Sequence, residues 1–350
     1  MPNADCLVLF SGGLDSILAA LVLQEQGLSV TCVHMYSPFF GNPARIPVWE
    51  HDYGLSIVGL DMGEAFATLL RNGPAYGFGK TMNPCVDCKI LMLQTGKSVM
   101  EKMGAKILAT GEVLGQRPMS QRSDVLNTIE REAHVKDCLV RPLSAKHLAP
   151  SQVEERGWVK REALLGIGGR GRKEQLRLAA LYQLPVIPTP AGGCKLTERE
   201  NVRRYYPVLC HESHADAQSF ALANCGRQFW YCVGDAAYWL TIGRNAADNE
   251  AIAQKAREDD LLLTFPAIPS PVALARHGTR WPKEILALAG SLSLSYAVSA
   301  IAVNPTHSLC LFGHNVHETM VVTSQRESPF ALPAWEKVGC ALAELRKKNA

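Results

Sequence analysis

The sequence predicts an α/β fold, a doubly wound parallel sheet, followed by a second α+β domain. In the first half, short apolar runs alternate with helical segments, as in sheets covered by helices on both faces. From about residue 203, short strand-like runs alternate with helical pieces, which is typical of a separate α+β unit. A chain of 350 residues also favours two domains. We therefore expect domains at residues 1–200 and 205–345.

Five apolar runs predict the strands of the first domain, at 6–10, 28–35, 55–60, 106–111 and 138–143. The helices expected there are 17–23, 88–103 and a basic helical segment over 151–184, ended by the prolines of 185–190. The second domain is expected to contain strands at 228–233, 238–242, 261–265, 310–312 and 318–323, and helices at 248–257 and 282–300. Ligands of a parallel sheet gather at the carboxyl ends of its strands, so functional residues are sought there.

Composition narrows the class of protein. Hydrophobic residues make up 47% and charged residues 20%, as in ordinary globular proteins. No apolar run reaches membrane-spanning length, and the first residues lack the basic region of a signal peptide. Eleven cysteines without a signal argue against a disulfide scaffold and predict a reducing, cytoplasmic location. The net charge of +3 says little about partners.

The most informative motif is Ser11-Gly12-Gly13-Leu14-Asp15-Ser16, which lies between a predicted buried strand and a predicted helix. A strand-to-helix turn exposes backbone N–H groups at a helix N-terminus, and glycines let a phosphate approach them. Ser11 and Ser16 add hydroxyl donors. Asp15 cannot bind a bare phosphate, so it indicates Mg²⁺. The alternative is a glycine-rich turn with a serine N-cap.

Two other glycine motifs do not predict a nucleotide site. The segment 73–81 resembles a Walker A loop, but its glycine spacing is wrong and no strand leads into it. The segment Gly166-x-Gly168-x-x-Gly171 matches the dinucleotide pattern, but it follows a predicted helical segment rather than a strand.

Three cysteines form a candidate metal or sulfur site. Cys85 and Cys88 make a Cys-x-x-Cys motif where a loop meets a helix, and Cys194 follows 106 residues after Cys88. A thioredoxin-type redox pair, a structural zinc site and an iron–sulfur cluster with three cysteine ligands and one open iron are all compatible with these residues. A zinc site would need a fourth ligand, for which Cys210, His211 and His214 are candidates. Cys6, Cys32 and Cys340 are expected to be packed as small hydrophobic side chains.

The hexapeptide 11–16 resembles the signature of the PP-loop ATP pyrophosphatases. The resemblance implies an adenine nucleotide alpha hydrolase-like fold and cleavage of ATP between its α- and β-phosphates. The product adenylate on a substrate oxygen is then displaced as AMP by a nucleophile. Two stretches resemble tRNA 4-thiouridine synthetases: residues 109–116, continuing to 119–121, and residues 140–143. A third, residues 83–86, resembles the loop of tRNA 2-thiouridylases. Because the loop begins at residue 11, the chain is expected to depart from the synthetases in lacking their N-terminal RNA-binding extension.

In such thiolases, three cysteines hold a [4Fe-4S] cluster that receives sulfur, or two of them act as persulfide carrier and resolving thiol. The resemblance therefore implies Cys85, Cys88 and Cys194 as metal ligands, with zinc or no metal as alternatives. It also implies catalytic roles for Asp15, Cys85 and Cys194. ATP would bind to residues 11–16 and to Thr110 and Gly111, although the last two form a simple turn in the alternative interpretation.

Two segments are candidates for RNA binding. The NFACT-R RNA-binding module is resembled by residues 241–250 and 256–261 and by the predicted helix around Tyr296. This resemblance implies Arg244 and Asn245 as RNA contacts. Arg170, Arg172 and Lys173 follow flexible glycines and are expected to meet tRNA phosphates. The alternatives are a plain β-turn at 243–245 and a solvated helix start at 169–173.

Together these features favour an ATP-dependent tRNA uridine sulfurtransferase that uses ATP, Mg²⁺ and a [4Fe-4S] cluster. Its partners would be tRNA and a sulfur donor, with no membrane. The target uridine and the oligomeric state stay open. The alternatives are another adenylating PP-loop enzyme acting on tRNA and a non-catalytic RNA-binding protein with a nucleotide-sensing domain.

Overall fold

The computed structural model describes residues 4–189 and 193–348. The chain folds into two compact units, the first running to Thr197 and the second spanning Glu198–Leu345. The first contains a parallel sheet with flanking helices and the second an antiparallel sheet, so the predicted fold class is confirmed. Within the described ranges, no helix has both the length and the hydropathy needed to span a bilayer.

The first unit is built on five parallel strands in the order β3-β2-β1-β4-β5. The central strand, Cys6–Leu9, pairs with a strand on each side, so that Cys6 lies opposite both Val30 and Ile107. A strand in this position is buried on both faces, which explains why its sequence is continuously apolar. The strands are β1 (Cys6–Leu9), β2 (Val30–Tyr36), β3 (Ser56–Asp61), β4 (Ile107–Thr110) and β5 (Leu139–Val140). The helices are α1 (Leu14–Gln24), α2 (Ile46–Tyr53), α3 (Gly63–Asn72), α4 (Cys85–Lys102), α5 (Ser123–Glu132), α6 (Gln152–Glu155) and α7 (Lys173–Leu181).

The expectation of a helical segment over 151–184 is wrong in its middle. The structure has only α6, a short 3-10 turn at Arg161–Ala163 and α7 there. Between them, Gly168 forms a parallel bridge with Leu114, and the N–H of Gly169 donates to the Leu114 carbonyl at 2.7 Å. The closely spaced glycines weaken helix formation, and the extended backbone gains a partner in the loop after β4.

The second unit contains a six-stranded antiparallel sheet in the order β11-β10-β8-β9-β7-β6. Its strands are β6 (Arg227–Val233), β7 (Ala236–Ile242), β8 (Leu261–Thr264), β9 (Ala273–Arg276), β10 (Thr306–Phe312) and β11 (His317–Thr323). Its helices are α8 (Arg199–His211), α9 (Ala217–Ala223), α10 (Ala246–Ala253), α11 (Lys283–Leu294), α12 (Val298–Ile301) and α13 (Trp335–Lys348). Strand β9 was not predicted, because alanine and arginine have little β-propensity; its burial within the sheet fixes it instead.

Candidate active site

A cavity of about 310 Å³ in the first unit brings the phosphate-loop motif and the cysteine motif together. It lies at the carboxyl ends of β1, β2 and β4, where a parallel sheet is expected to bind ligands. The residues lining it that the sequence singled out are Ser11, Gly13, Asp15, Ser16, Cys85, Cys88, Thr110, Gly111, Glu112 and Cys194.

The loop between β1 and α1 is closed by the buried hydroxyl of Ser16. This hydroxyl accepts a hydrogen bond from the N–H of Ser11 at 3.2 Å and donates to the Gly13 carbonyl at 2.8 Å. The N-cap of α1 is Gly13, and no side chain caps the helix, so the alternative of a serine N-cap is wrong. An uncapped helix start leaves backbone N–H groups for an anion.

Asp15 and Gly12 have different roles in this loop. One carboxylate oxygen of Asp15 is buried and has no hydrogen-bond partner within the described part of the chain, which is the donor a Mg²⁺ ion takes. Gly12 has a φ of +75°, and a Cβ there would lie 2.4 Å from the ring of Trp49 on α2. The tight turn therefore requires glycine at position 12.

Cys85 is the first residue of α4, and Cys88 lies one turn later. The amide of Asn83 donates to the Cys85 sulfur at 3.0 Å, while its oxygen accepts from the hydroxyl of Thr81 at 2.8 Å. A Cβ on Gly79 would lie 2.5 Å from the Asn83 amide, so this glycine makes room for the amide that contacts the thiol. This role explains part of the segment that resembles a Walker A loop.

The segment carrying Cys194 is held against the other half of the site by backbone hydrogen bonds. The N–H of Lys195 donates to the Phe39 carbonyl at 2.8 Å, and the Thr81 hydroxyl donates to the Leu196 carbonyl at 2.7 Å. These bonds bring Cys194 to the cavity that Cys85 lines. Residues 190–192, shortly before Cys194 in the sequence, lie outside the described residues.

The thiols are in an environment that disfavours a free thiolate. Burial raises the pKa of Cys88 to about 12 and that of Cys194 to about 11. Repulsion from Cys194 and Cys85 adds to the shift of Cys88, and repulsion from Cys85 adds to that of Cys194. The three sulfurs do not all lie within 4.8 Å of one another. Zinc bound by three thiolates would bring them to about 3.8 Å. Three thiols at one cavity are a donor set that either zinc or an iron–sulfur cluster can use.

The candidates for a fourth zinc ligand, Cys210, His211 and His214, belong to the second unit, Glu198–Leu345. Of the cysteines expected to be packed, Cys6 and Cys32 are buried in the first unit's core, as predicted. Cys340, on α13, is exposed, so the expectation for it is wrong. All eleven cysteines are free thiols.

Sequence reasoning did not find the ion cluster beside the thiols. Glu112 is 2% exposed and contacts Arg141 at 3.2 Å and Lys89 at 3.5 Å. Burial favours the neutral carboxyl, but the two cations and hydrogen bonds from Arg141 and Thr110 hold the pKa of Glu112 below its usual value. Arg141 also pairs with Glu130 at 2.7 Å. The runs at 109–116 and 140–143, which contain Glu112 and Arg141, were singled out from the sequence, but their contact was not predicted.

His34, on β2, is a second cavity residue that the sequence did not single out. Its Nδ1 lies 3.0 Å from the Phe10 carbonyl, and its Nε2 accepts from the N–H of Asn42 at 2.9 Å. This pattern requires the proton on Nδ1 and a neutral ring. Burial lowers the pKa of His34, which keeps the ring neutral. A lone histidine within a predicted strand carries no distinguishing signal.

Of the first RNA-binding candidates, Lys173 lines a second cavity of the first unit. Arg170 and Lys173 are exposed, and Arg172 donates to the Pro188 carbonyl at 3.4 Å. The cavity, of about 580 Å³, is lined by Leu114, His147, Gly166, Ile167, Gly168, Gly169, Gly171, Lys173, Glu174 and Gln175. It includes the uncapped N-terminus of α7. The motif Gly166-x-Gly168-x-x-Gly171, which does not predict a dinucleotide site, therefore lines a cavity at the surface.

The second pair of RNA-binding candidates has local structural contacts. The side chain of Asn245 caps α10, accepting from the N–H of Asp248 at 2.9 Å. Arg244 donates to the same aspartate at 2.6 Å. Both residues are exposed and therefore accessible to a partner. Their roles in RNA binding stay predictions.

Comparison with known proteins supports the resemblance predicted from the sequence. The chain is 34% identical to a Methanosarcina acetivorans protein named "Probable tRNA sulfurtransferase" over 116 residues, 31% of this chain and 28% of that protein. It is 24% identical to the tRNA-specific 2-thiouridylase MnmA of Neisseria gonorrhoeae over 302 residues, 75% of each chain. No family model matches.

A solved structure of a predicted subunit of tRNA methyltransferase from Methanocaldococcus jannaschii aligns with a TM-score of 0.32 and 16% identity, covering 50% of this chain and 75% of that one. That score is too low to establish a shared fold. The similarity to tRNA sulfurtransferases and 2-thiouridylases is confirmed by the sequence matches, although the chain spans less than a third of the length of the first relative. The NFACT-R-like nature of the second unit stays a prediction.

Proposed function

We propose that this protein is an ATP-dependent tRNA uridine sulfurtransferase. The observation that carries the proposal is the single cavity lined by both the phosphate-loop motif and the three cysteines. An adenylating enzyme that uses an amine or water as its nucleophile has no need of thiols at this place. The similarity to proteins named tRNA sulfurtransferase and 2-thiouridylase supports the same substrate class.

In the proposed reaction, the loop at 11–16 binds the β- and γ-phosphates of ATP, and Thr110 and Gly111 bind the nucleoside. The uridine carbonyl oxygen attacks the α-phosphate, and pyrophosphate leaves. The uncapped start of α1 and a Mg²⁺ ion bound by Asp15 would stabilise the negative charge that develops on the phosphates. Sulfur at the oxidation level of hydrosulfide then attacks the carbonyl carbon, and AMP leaves with the original oxygen.

Cys85, Cys88 and Cys194 would hold a [4Fe-4S] cluster. When bound, it would supply an open iron for a sulfur atom. The protein's own contribution is to position the thiols: Asn83 donates to the sulfur of Cys85, and backbone N–H groups of Leu196 and Thr197 donate to that of Cys194. Such contacts stabilise sulfur in the charged form that binds metal.

The substrate tRNA would meet Arg170, Arg172 and Lys173 at the start of α7, where Lys173 lines the second cavity, and Arg244 and Asn245 in the second unit. A helix start with clustered cations suits a phosphodiester backbone. We propose a cytoplasmic location, because eleven free thiols suit a reducing compartment.

The test separates adenylation from sulfur transfer. The full chain, reconstituted anaerobically with iron and sulfide, is incubated with ATP, unmodified tRNA and sulfide. AMP formation is measured alongside thiolated tRNA, which is retarded in a mercury-containing gel. We expect Cys194→Ser to form AMP but no thiolated tRNA, whereas Cys340→Ser, at an exposed cysteine, behaves as the unmodified protein.

The outcomes separate the three candidate functions. AMP formed with tRNA, but a product that contains no sulfur and is unaffected by Cys194→Ser, would identify another adenylating tRNA enzyme. Failure to convert ATP to AMP in the presence of tRNA would favour an RNA-binding protein. Iron and sulfide of about four each per chain would support the cluster, and zinc without iron would contradict it.

A further inference from the structure

In the second unit, two arginine side chains lie on the ring of one tyrosine. The guanidinium carbon of Arg326 is 4.0 Å from the centroid of the Tyr296 ring, and that of Arg227 is 4.4 Å from it. Arg227 also donates to the Gly243 carbonyl at 3.0 Å. One side chain therefore connects the turn before Arg244 with Tyr296, two features that are far apart in the sequence.

Two further arginines surround the same turn. Arg204 donates to the carbonyls of Ala223 and Gly226, and Arg244 follows Gly243 directly. Burial is the larger cause that lowers the pKa of Arg204, and the positive charge of Arg244 lowers it further. The second effect is expected for two cations that lie close together. We call Arg204, Arg227, Arg244 and Arg326 the arginine cluster.

The arginine cluster has an excess of positive charge. Only Arg244 is paired with a carboxylate, that of Asp248, within 4.0 Å among the described residues. Arg227 and Arg326 are held in place by a tyrosine ring, which orients a guanidinium without neutralising it. Arg326 is exposed and Arg227 half-buried, so both charges are accessible from solvent. Like charges held together without counter-ions cost free energy unless an anionic partner binds there.

We propose that the arginine cluster binds the phosphodiester backbone of RNA, with Arg326 and Arg227 as the principal contacts and Tyr296 as their positioning residue. The planar guanidinium group matches two phosphate oxygens at once, and a polynucleotide supplies several phosphates at regular spacing. The assignment of RNA rests on the proposed function, in which tRNA is the substrate. It differs from the sequence-based prediction, because Arg244 and Asn245 are engaged by α10 whereas Arg227 and Arg326 are not neutralised.

The experiment measures binding of the full chain to an unmodified tRNA transcript by fluorescence anisotropy at several salt concentrations. We expect Arg326→Gln to lower the affinity roughly tenfold, the loss of one charge-assisted hydrogen bond. It should also reduce the slope of log K against log salt by about 1. The matched control is Arg280→Gln, which removes the same charge from an exposed arginine that is paired with Asp259. Its affinity should stay close to that of the unmodified protein.

A second variant pair tests the positioning role of Tyr296. Tyr296→Leu removes the aromatic face and should weaken tRNA binding, whereas Tyr296→Phe keeps the face and should restore it. Thermal unfolding of each variant checks that the second unit is folded. A merely structural role would lower stability in Tyr296→Leu without changing the salt slope.

The proposal is overturned if folded Arg326→Gln and Tyr296→Leu variants bind tRNA as tightly as the unmodified protein. It is also overturned if polyglutamate competes with tRNA equally well, since the surface would then recognise acidic protein. If these variants thiolate tRNA and bind it with unchanged affinity, the proposed function is supported and RNA binding by the arginine cluster is contradicted. If tRNA binding is lost in them but the unmodified protein never thiolates tRNA, the surface stands and the proposed function fails.

Discussion

The backbone of Gly111 lies directly against the backbone of Asp15. A Cβ atom placed on Gly111 would be 2.5 Å from both the carbonyl carbon and the carbonyl oxygen of Asp15. The turn after β4 therefore approaches the start of α1 more closely than any side chain permits. This contact fixes the position of the phosphate loop relative to the turn proposed to bind the nucleoside.

Gly111→Ala should consequently abolish ATP binding. The added methyl group has to displace backbone at the first turn of α1, where the phosphates are expected, and cannot be relieved by a side-chain rotation. Isothermal titration calorimetry with ATP and Mg²⁺ measures the effect. Gly171→Ala is the control, since a Cβ there meets nothing within 4 Å. Unchanged ATP affinity in a folded Gly111→Ala variant would mean that ATP binds elsewhere.

Removal of Glu112 should destabilise the first unit strongly. Glu112→Ala removes the buried carboxylate that pairs with the guanidinium of Arg141. Loss of one member of a buried ion pair lowers the free energy of unfolding by about 3 to 5 kcal/mol. Glu112→Gln keeps the shape and one acceptor, so its cost should be smaller. Urea unfolding of both variants measures the difference. As a control, Glu132→Ala, at an exposed pair, should not change stability measurably.

The stability of the second unit should depend on pH through His277. Its Nε2 contacts Glu212 at 3.1 Å and its Nδ1 contacts Asp259 at 2.6 Å. The hydrogen bond with Glu212 is the largest cause that raises the pKa of His277, and that with Asp259 adds to it. A raised pKa means that the stabilisation is fully present below the unfolded value and is lost as pH rises through the folded value.

Thermal unfolding between about pH 6 and pH 9 tests this dependence. The unmodified protein should lose stability as pH rises through the range, and His277→Asn should show a shallower loss. Asparagine is the suitable replacement because residue 277 has a φ of +55°, which asparagine tolerates. Equal pH profiles for the two proteins would rule out His277 as the responsible group.

Asn245 should contribute to stability through its cap. Asn245→Ala removes the acceptor for the N–H of Asp248 and should destabilise the second unit by about 1 kcal/mol. Asn245→Asp keeps the capping oxygen and should be nearly neutral in thermal unfolding. Because it adds a negative charge, it also tests the predicted RNA contact: tRNA binding should weaken only if phosphate lies near this residue.

The features that sequence reasoning found are local ones. The hexapeptide at 11–16 contains its own glycines, donors and carboxylate, and one strand-to-helix turn sets their geometry. The pair Cys85 and Cys88 is likewise placed by the first turn of a single helix. A pattern confined to a few consecutive residues determines such sites, so they can be predicted without knowledge of the tertiary structure.

The features that were missed depend on packing between distant segments. Lys89, Glu112 and Arg141 come from three separate elements and meet only when α4 packs on the sheet. The pairing of Gly168 with Leu114 overrode the helical tendency of the surrounding sequence, and burial made a strand of the alanine-rich β9. No periodicity in the sequence reports contacts of this kind.

The hydrogen bonds that hold the Cys194 segment have a consequence for synthesis of the chain. Thr81 and Leu196 are 115 positions apart, so the bond between them has a high contact order. A nascent chain that has just released β4 from the ribosome can pair its central strands and form the phosphate loop while the third thiol is still untranslated. On the proposed function, the ability to bind nucleotide would then be acquired well before the full set of three thiols is available.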